Sequence, residues 1–185
     1  MTTDPTITVF GSSRPSPGEE EYTRAFELGR SLAEAGFTLC NGGYGGIMEA
    51  SARGAREAGG RTIGIITAAF PRSANTWIDT VVVKESLIDR MLALIDTGDA
   101  YAVLKGGTGT LLELAAVWEF MNKQMLPSKP IIIVGNFWDG VVTTLRNELA
   151  WEGLADCTRY VQVVDSPPAA VRALQEHFRK RNERR

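Results

Sequence analysis

The run Lys105-Gly106-Gly107-Thr108-Gly109-Thr110, followed by Glu113, is the part of this 185-residue chain best suited to chemistry. It joins an apolar strand-like run, Asp99 to Leu104, to an apolar helix-like run, Leu111 to Met121. Glycines and threonines at such a junction let the backbone approach a ligand closely and aim free helix N-terminal amides at an anion, usually a phosphate. Glu113 changes that reading. Helical Cα–Cβ bonds tilt toward the N-terminus and carry its carboxylate back toward the loop, where it cannot favour a phosphate. It must therefore pair with a cation or act on another part of the same ligand. Ala116, Val117 and Phe120, which share its helix face, are apolar, and this weighs against a merely solvated position.

A second glycine-rich segment, Asn41-Gly42-Gly43-Tyr44-Gly45-Gly46-Ile47-Met48, also follows a strand-like run and opens a helix-like one. One such cluster is weak evidence, since glycines also serve plain turns; two at equivalent strand ends are stronger. Neither carries Gly-Lys-Ser/Thr after its glycines, and neither has the usual dinucleotide-binding spacing, so P-loop and standard dinucleotide sites are excluded. The first strand-like run ends in Gly11-Ser12-Ser13-Arg14. Its hydroxyls and cation fit either sugar and phosphate oxygens or a simple turn. Arg90 lies in an apolar helical run with no acid three or four residues away, which leaves it for a distant partner or an anion. The only histidine, His177, sits in a basic C-terminal segment. A Ser-His-Asp triad and a histidine metal site are therefore not expected, and acid–base work falls to carboxylates, Glu113 first.

These loops need elements to hold them. Apolar, β-branched runs at Thr6 to Phe10, Phe37 to Cys40, Thr62 to Thr67, Thr80 to Val83, Ala100 to Leu104, Pro130 to Gly135 and Tyr160 to Val164 read as strands. Helical patterns occupy Glu19 to Ala35, Gly46 to Ala58, Glu85 to Asp96, Thr110 to Gln124, Trp138 to Glu148 and Pro167 to Lys180. This alternation predicts a single α/β domain, a Rossmann-like doubly wound parallel sheet, with ligands bound beyond the carboxyl ends of the strands. The segment from Phe70 to Trp77 is the longest loop. It is either a lid or specificity loop or an ordinary surface connection.

Composition is that of an ordinary globular chain, 44% hydrophobic and 23% charged. The net charge is −2, and the segment 179–185 alone carries +4, so the remainder stands at −6. An acidic body argues against nucleic-acid binding. The basic segment reads as a solvated helix end, or else as a contact for RNA or an acidic partner. No apolar run is long enough for a membrane span, and the polar start, Met1 to Pro5, lacks signal-peptide regions; a cytoplasmic location is expected. Cys40 and Cys157 are too few for a disulfide framework and read as buried free thiols.

Gly42-Gly43-Tyr44-Gly45-Gly46-Ile47-Met48 resembles the GGGxxGLM element of the Lonely Guy (LOG) family, and Gly106-Gly107-Thr108-Gly109-Thr110-Leu111-Leu112-Glu113 resembles its PGGxGTxxE element. Val9 to Ser13 is similar to the family's opening strand and turn, and Arg90 stands in the place of its catalytic arginine. The resemblance runs from about Ile7 to Trp138. It implies a cytokinin riboside 5′-monophosphate phosphoribohydrolase: an N-glycosidase without metal or other cofactor, acting on a purine nucleoside 5′-monophosphate, with N6-modified adenine as the implied base. Glu113 and Arg90 would be catalytic. Gly42, Gly43, Gly45, Gly46, Gly106, Gly107, Thr108, Gly109, Thr110, Ser12 and Ser13 would hold phosphate and ribose, and Met48 and Lys105 would meet the base. A homodimer is also implied, with the apolar helix around Trp118 and Phe120 as its surface. Three positions depart from the family pattern: Lys105 replaces a proline, Met91 a lysine and Glu49 a frequent glycine. The wider superfamily adds an alternative, a non-catalytic carrier or sensor for a nucleotide or molybdenum cofactor. Amino-acid decarboxylation would need pyridoxal phosphate on a lysine, and no lysine stands in a suitable setting.

Overall fold

The computed structural model describes residues 4–183. Seven strands form one all-parallel sheet: β1 (Thr6–Phe10), β2 (Thr38–Asn41), β3 (Thr62–Thr67), β4 (Thr80–Lys84), β5 (Ala100–Val103), β6 (Ile131–Val134) and β7 (Val161–Val164). Their spatial order is β4-β3-β2-β1-β5-β6-β7. Six helices cover the two faces: α1 (Glu20–Glu34), α2 (Ile47–Glu57), α3 (Leu87–Thr97), α4 (Thr108–Asn122), α5 (Asp139–Trp151) and α6 (Pro167–Glu183). The expected α/β fold is the one observed.

Side chains alternate across the sheet and sort the core into two layers. Ile7 and Val9 of β1 pack with Leu28, Ala50 and Leu174 under α1, α2 and α6. Phe10 joins Leu94, Leu114 and Val142 under α3, α4 and α5. Ile131 to Val134, each at most 2% exposed, are covered on both faces, which is why they read as a continuous apolar run. Burial of each such side chain contributes about 1.5–3 kcal/mol. Cys40 is fully buried and desolvation pushes its thiol up to about 12, so it is an inert core thiol. Cys157 is only half-buried.

Two features depart from strict strand–helix alternation, the first of them at the loop expected over Phe70 to Trp77. The connection from β3 to β4 carries no helix, although the strands are parallel. Instead Asn75 ties it down: its N–H donates to Gly43 O (2.8 Å), and its Nδ2 donates to Tyr44 O (2.8 Å). A short 3-10 helix, Ala155–Tyr160, precedes β7, and Trp118 Nε1 donates to Cys157 O within it at 3.0 Å. Trp118 is 2% exposed, so it belongs to the core and is not available as an intersubunit surface. The basic C-terminal segment continues α6 as far as Glu183, and Lys180 pairs with Glu176 at 2.6 Å. Arg184 and Arg185, like Met1 to Thr3 of the polar start, lie outside the described residues. Among the described residues no helix is long and apolar enough to cross a membrane.

Candidate functional site

The strand order reverses at β1, whose neighbours β2 and β5 lead to opposite halves of the sheet. Diverging loops leave a crevice at such a point, and here a cavity of about 450 Å³ opens beyond the carboxyl ends of the strands. Its floor is Val9, Phe10 and Gly11. Ser12, Ser13 and Arg14 form one rim, Gly107 to Thr110 and Glu113 another, and Gly42, Tyr44, Met48, Phe70, Arg72 and Arg90 the far wall. Backbone bonds stitch the rims together: Ser12 N donates to Lys105 O (3.0 Å), and Ile47 N donates to Ser12 O (2.9 Å).

The glycines divide into two kinds. Gly107 caps α4 without any side-chain hydrogen bond, and at Gly107 and Gly109 an added Cβ would meet open space. The first-turn amides of α4 therefore face the cavity unblocked, the geometry that binds phosphate. The other glycines serve the protein itself. A Cβ on Gly42 would lie 1.8 Å from Arg90 Nη2, one on Gly46 2.4 Å from Ser13 C, and one on Gly106 2.2 Å from Thr110 Oγ1. Gly43 and Gly46 also adopt φ of +75° and +68°, which side chains rarely tolerate. Gly43, Gly45, Gly46 and Gly106 shape the loops and do not line the cavity, and Thr110 reaches it while its buried side chain packs against Gly106.

Glu113 and Arg90 come together from different helices. Ser86 caps α3 by accepting from Asp89 N at 3.0 Å and so fixes the turn that carries Arg90. Arg90 is 8% exposed; its Nε donates to Ile65 O (2.8 Å) and its Nη2 to Gly42 O (3.0 Å), and the guanidinium stacks over Tyr44 at 5.3 Å. Burial lowers its proton affinity and Glu113 opposes that effect, but an arginine stays charged. Glu113 lies deep in the crevice yet keeps contact with solvent through its mouth. Desolvation pushes its carboxyl up to about 7, with the Arg90 charge pulling the other way. A carboxylate titrating near neutrality beside a fixed cation can exchange protons under ordinary conditions.

The remaining predicted residues separate. Met48 lines the cavity. Lys105 turns away, with its Nζ 3.4 Å from Glu21 Oε1 and 5.5 Å from the Phe137 ring, on a neighbouring cavity of about 510 Å³. Met91 points into the apolar layer under α3, and Glu49 accepts from Tyr22 Oη at 3.4 Å, outside the cavity. Residues that motif reading passed over also matter. Asn41 Oδ1 accepts from Gly43 N (2.8 Å) while its Nδ2 donates to Met48 O (2.8 Å), closing the second glycine loop; an asparagine directly before two glycines was the available signal. Phe70 and Arg72 reach the crevice from the Phe70 to Trp77 loop, which the sequence offered as a lid or specificity loop without naming either residue as part of a site. Among the described residues no group of three His, Cys, Asp or Glu converges as a metal site would need.

The model of the SLOG cluster4 family matches residues 4–152. A cytokinin riboside 5′-monophosphate phosphoribohydrolase of Mycobacterium tuberculosis is 34% identical over 189 residues, spanning 94% of this chain and 95% of that protein. An enzyme of the same name from Rhodococcoides fascians is 29% identical, over 72% of this chain and 69% of its own length. Among solved structures, the molybdenum cofactor carrier protein of Chlamydomonas reinhardtii superposes with a TM-score of 0.75 at 25% identity, covering 94% of this chain and 97% of that one. DNA processing protein A of Helicobacter pylori shares the fold alone, with a TM-score of 0.62 at 17% identity.

Proposed function

The chain belongs to the SLOG cluster4 family, and from that premise we propose that it hydrolyses the N-glycosidic bond of a purine nucleoside 5′-monophosphate, releasing free base and ribose 5-phosphate. One observation carries this reading: the unblocked amides of α4 and the Glu113 carboxylate face the same crevice, one turn of helix apart. A 5′-phosphate on the amides would bring the ribose to Glu113. As the bond from C1′ to the base nitrogen breaks, its electron pair leaves with the base and positive charge develops on the sugar. The ionised Glu113 stabilises that charge and takes a proton from the attacking water as its oxygen bonds to C1′, and the departing base takes a proton from solvent, after which Glu113 returns its own to solvent. Arg90, held by two backbone carbonyls, keeps Glu113 ionised often enough to act. The names of the relatives carry a cytokinin riboside 5′-monophosphate, and the base is left open among the purines: isopentenyladenosine 5′-monophosphate, AMP, GMP and IMP are the substrates to try.

A carrier is the second reading, favoured by the likeness to the molybdenum cofactor carrier protein. Base release measured by chromatography separates the two. Hydrolysis predicts catalytic release that Glu113→Gln abolishes, whereas stoichiometric binding with no release by the wild type would establish the carrier. Equal rates in wild type and Glu113→Gln would remove Glu113 from the mechanism.

The family expectation of a homodimer acquires a different surface. Leu87, Ile88 and Leu112 are 45–55% exposed on α3 and α4, the helices that also carry Arg90 and Glu113. A second copy covering them would border the crevice and shield it from water.

A further inference from the structure

We infer that Arg72, with Phe70, selects the base, and that the ligand it selects is a 6-oxopurine nucleotide rather than a 6-aminopurine one. This rests on the purine-nucleotide reading above. With the phosphate on α4 and the ribose at Glu113, the base must extend across the crevice, because β2 and β3 end on the opposite side of β1 from β5. There it meets the wall formed by Tyr44, Met48, Phe70, Arg72 and Arg90.

The hydrogen-bonding character of this wall is one-sided. Arg90 and Arg72 are donors only. The wall's one side-chain oxygen, Tyr44 Oη, is turned back into the protein, accepting from Thr67 N at 3.0 Å and donating to Thr67 O at 3.4 Å. The Gly42 carbonyl is taken by Arg90 Nη2 at 3.0 Å. Phe70 and Met48 supply apolar surface, and the Phe70 ring stands 6.0 Å from that of Tyr44 with 41% of its area exposed, open to stacking against a base. No side chain there accepts the N–H of a 6-amino group.

Arg72 is the free donor of this set. Its guanidinium has no hydrogen-bond or ion-pair partner among the described residues, while Arg90 is held. The loop that carries it is anchored on both sides of the tip. Ala68 N donates to Lys84 O at 2.8 Å on one side, and Asn75 is bonded to Gly43 and Tyr44 on the other. The tip between them, residues 70–73, is exposed. A guanidinium fork on such a tip matches the O6 and N7 acceptors of guanine or hypoxanthine, which it can bond together; adenine offers N7 but opposes the fork with its amino group.

The test is equilibrium binding of GMP, IMP and AMP to full-length Glu113→Gln protein, read by calorimetry, with and without a second change at Arg72. GMP and IMP should bind about tenfold tighter than AMP, the discrimination a bidentate arginine supplies. Arg72→Ala should bring that ratio close to one, with AMP affinity falling much less than GMP affinity. Arg72→Lys keeps the charge but loses the fork and should also lose the preference, which separates base reading from general attraction of phosphate. A ratio unchanged by either substitution, AMP binding tighter than GMP in the parent, or no binding of any of the three overturns the inference. Failure of hydrolysis is seen separately, as nucleotide binding by the wild type without base release.

Discussion

Two influences compete at the Glu113 carboxyl: surrounding protein favours its neutral form, and the Arg90 charge favours its ionised form. Burial wins, and the group titrates at about 7. If the ionised form is the working one, kcat/KM for base release rises with pH through about 7, and Arg90→Gln shifts that rise to higher pH by removing the opposing charge; a pH–rate series on both proteins checks this. The same shift has a consequence for stability. The folded protein holds a proton that the unfolded chain has released above 4.5, so the contribution of Glu113 to stability is lost as pH rises from about 4.5 to about 7. Urea unfolding at several pH values should show that slope in the wild type and lose it in Glu113→Gln. The suitability of Glu113 was legible in the chain, because its helical direction and apolar neighbours follow from local order. The Arg90 charge that acts on it was not, since the two are brought near each other only by the separate packing of α3 and α4.

At the level of elements, the two glycine loops look alike in sequence and do different work. The α4 loop leaves Gly107 and Gly109 open to the crevice, whereas the β2 loop uses Gly42 to admit the Arg90 guanidinium. Gly42→Ala should therefore displace Arg90, costing about 1–3 kcal/mol and lowering Tm by several degrees, with loss of base release. Gly109→Ala lies in the first turn of α4 with free space around it, so it should hold or raise Tm while weakening nucleotide binding about tenfold or more. Thermal melts with and without AMP distinguish the two cases. Glycine spacing alone does not make this distinction, because what each missing side chain would collide with belongs to a neighbouring segment. The β3–β4 connection shows the same limit: Asn75 replaces a covering helix with three hydrogen bonds to Gly43 and Tyr44, partners more than thirty residues away.

On the scale of the molecule, the reversal of strand order at β1 gathers the carboxyl ends of β1, β2, β3 and β5 around one crevice. Arg90 and Glu113, which line that crevice, stand on the same two helices as the exposed Leu87, Ile88 and Leu112. Leu112→Glu should convert the proposed dimer to monomer in size-exclusion chromatography with light scattering and reduce base release, while leaving the fold intact by circular dichroism. A monomeric wild type, or a fully active Leu112→Glu monomer, removes the dimer from the mechanism. By itself the sequence determined the element types, the parallel sheet and the two loops, because hydrophobic period and glycine placement act over neighbouring residues. Only the tertiary structure decided that Lys105 serves Glu21 and Phe137 on a separate cavity, that Trp118 is core, and that Arg72 faces the crevice. Those outcomes depend on which segments the β1 crossover brings side by side, and no local property of the chain encodes a neighbour fifty residues away.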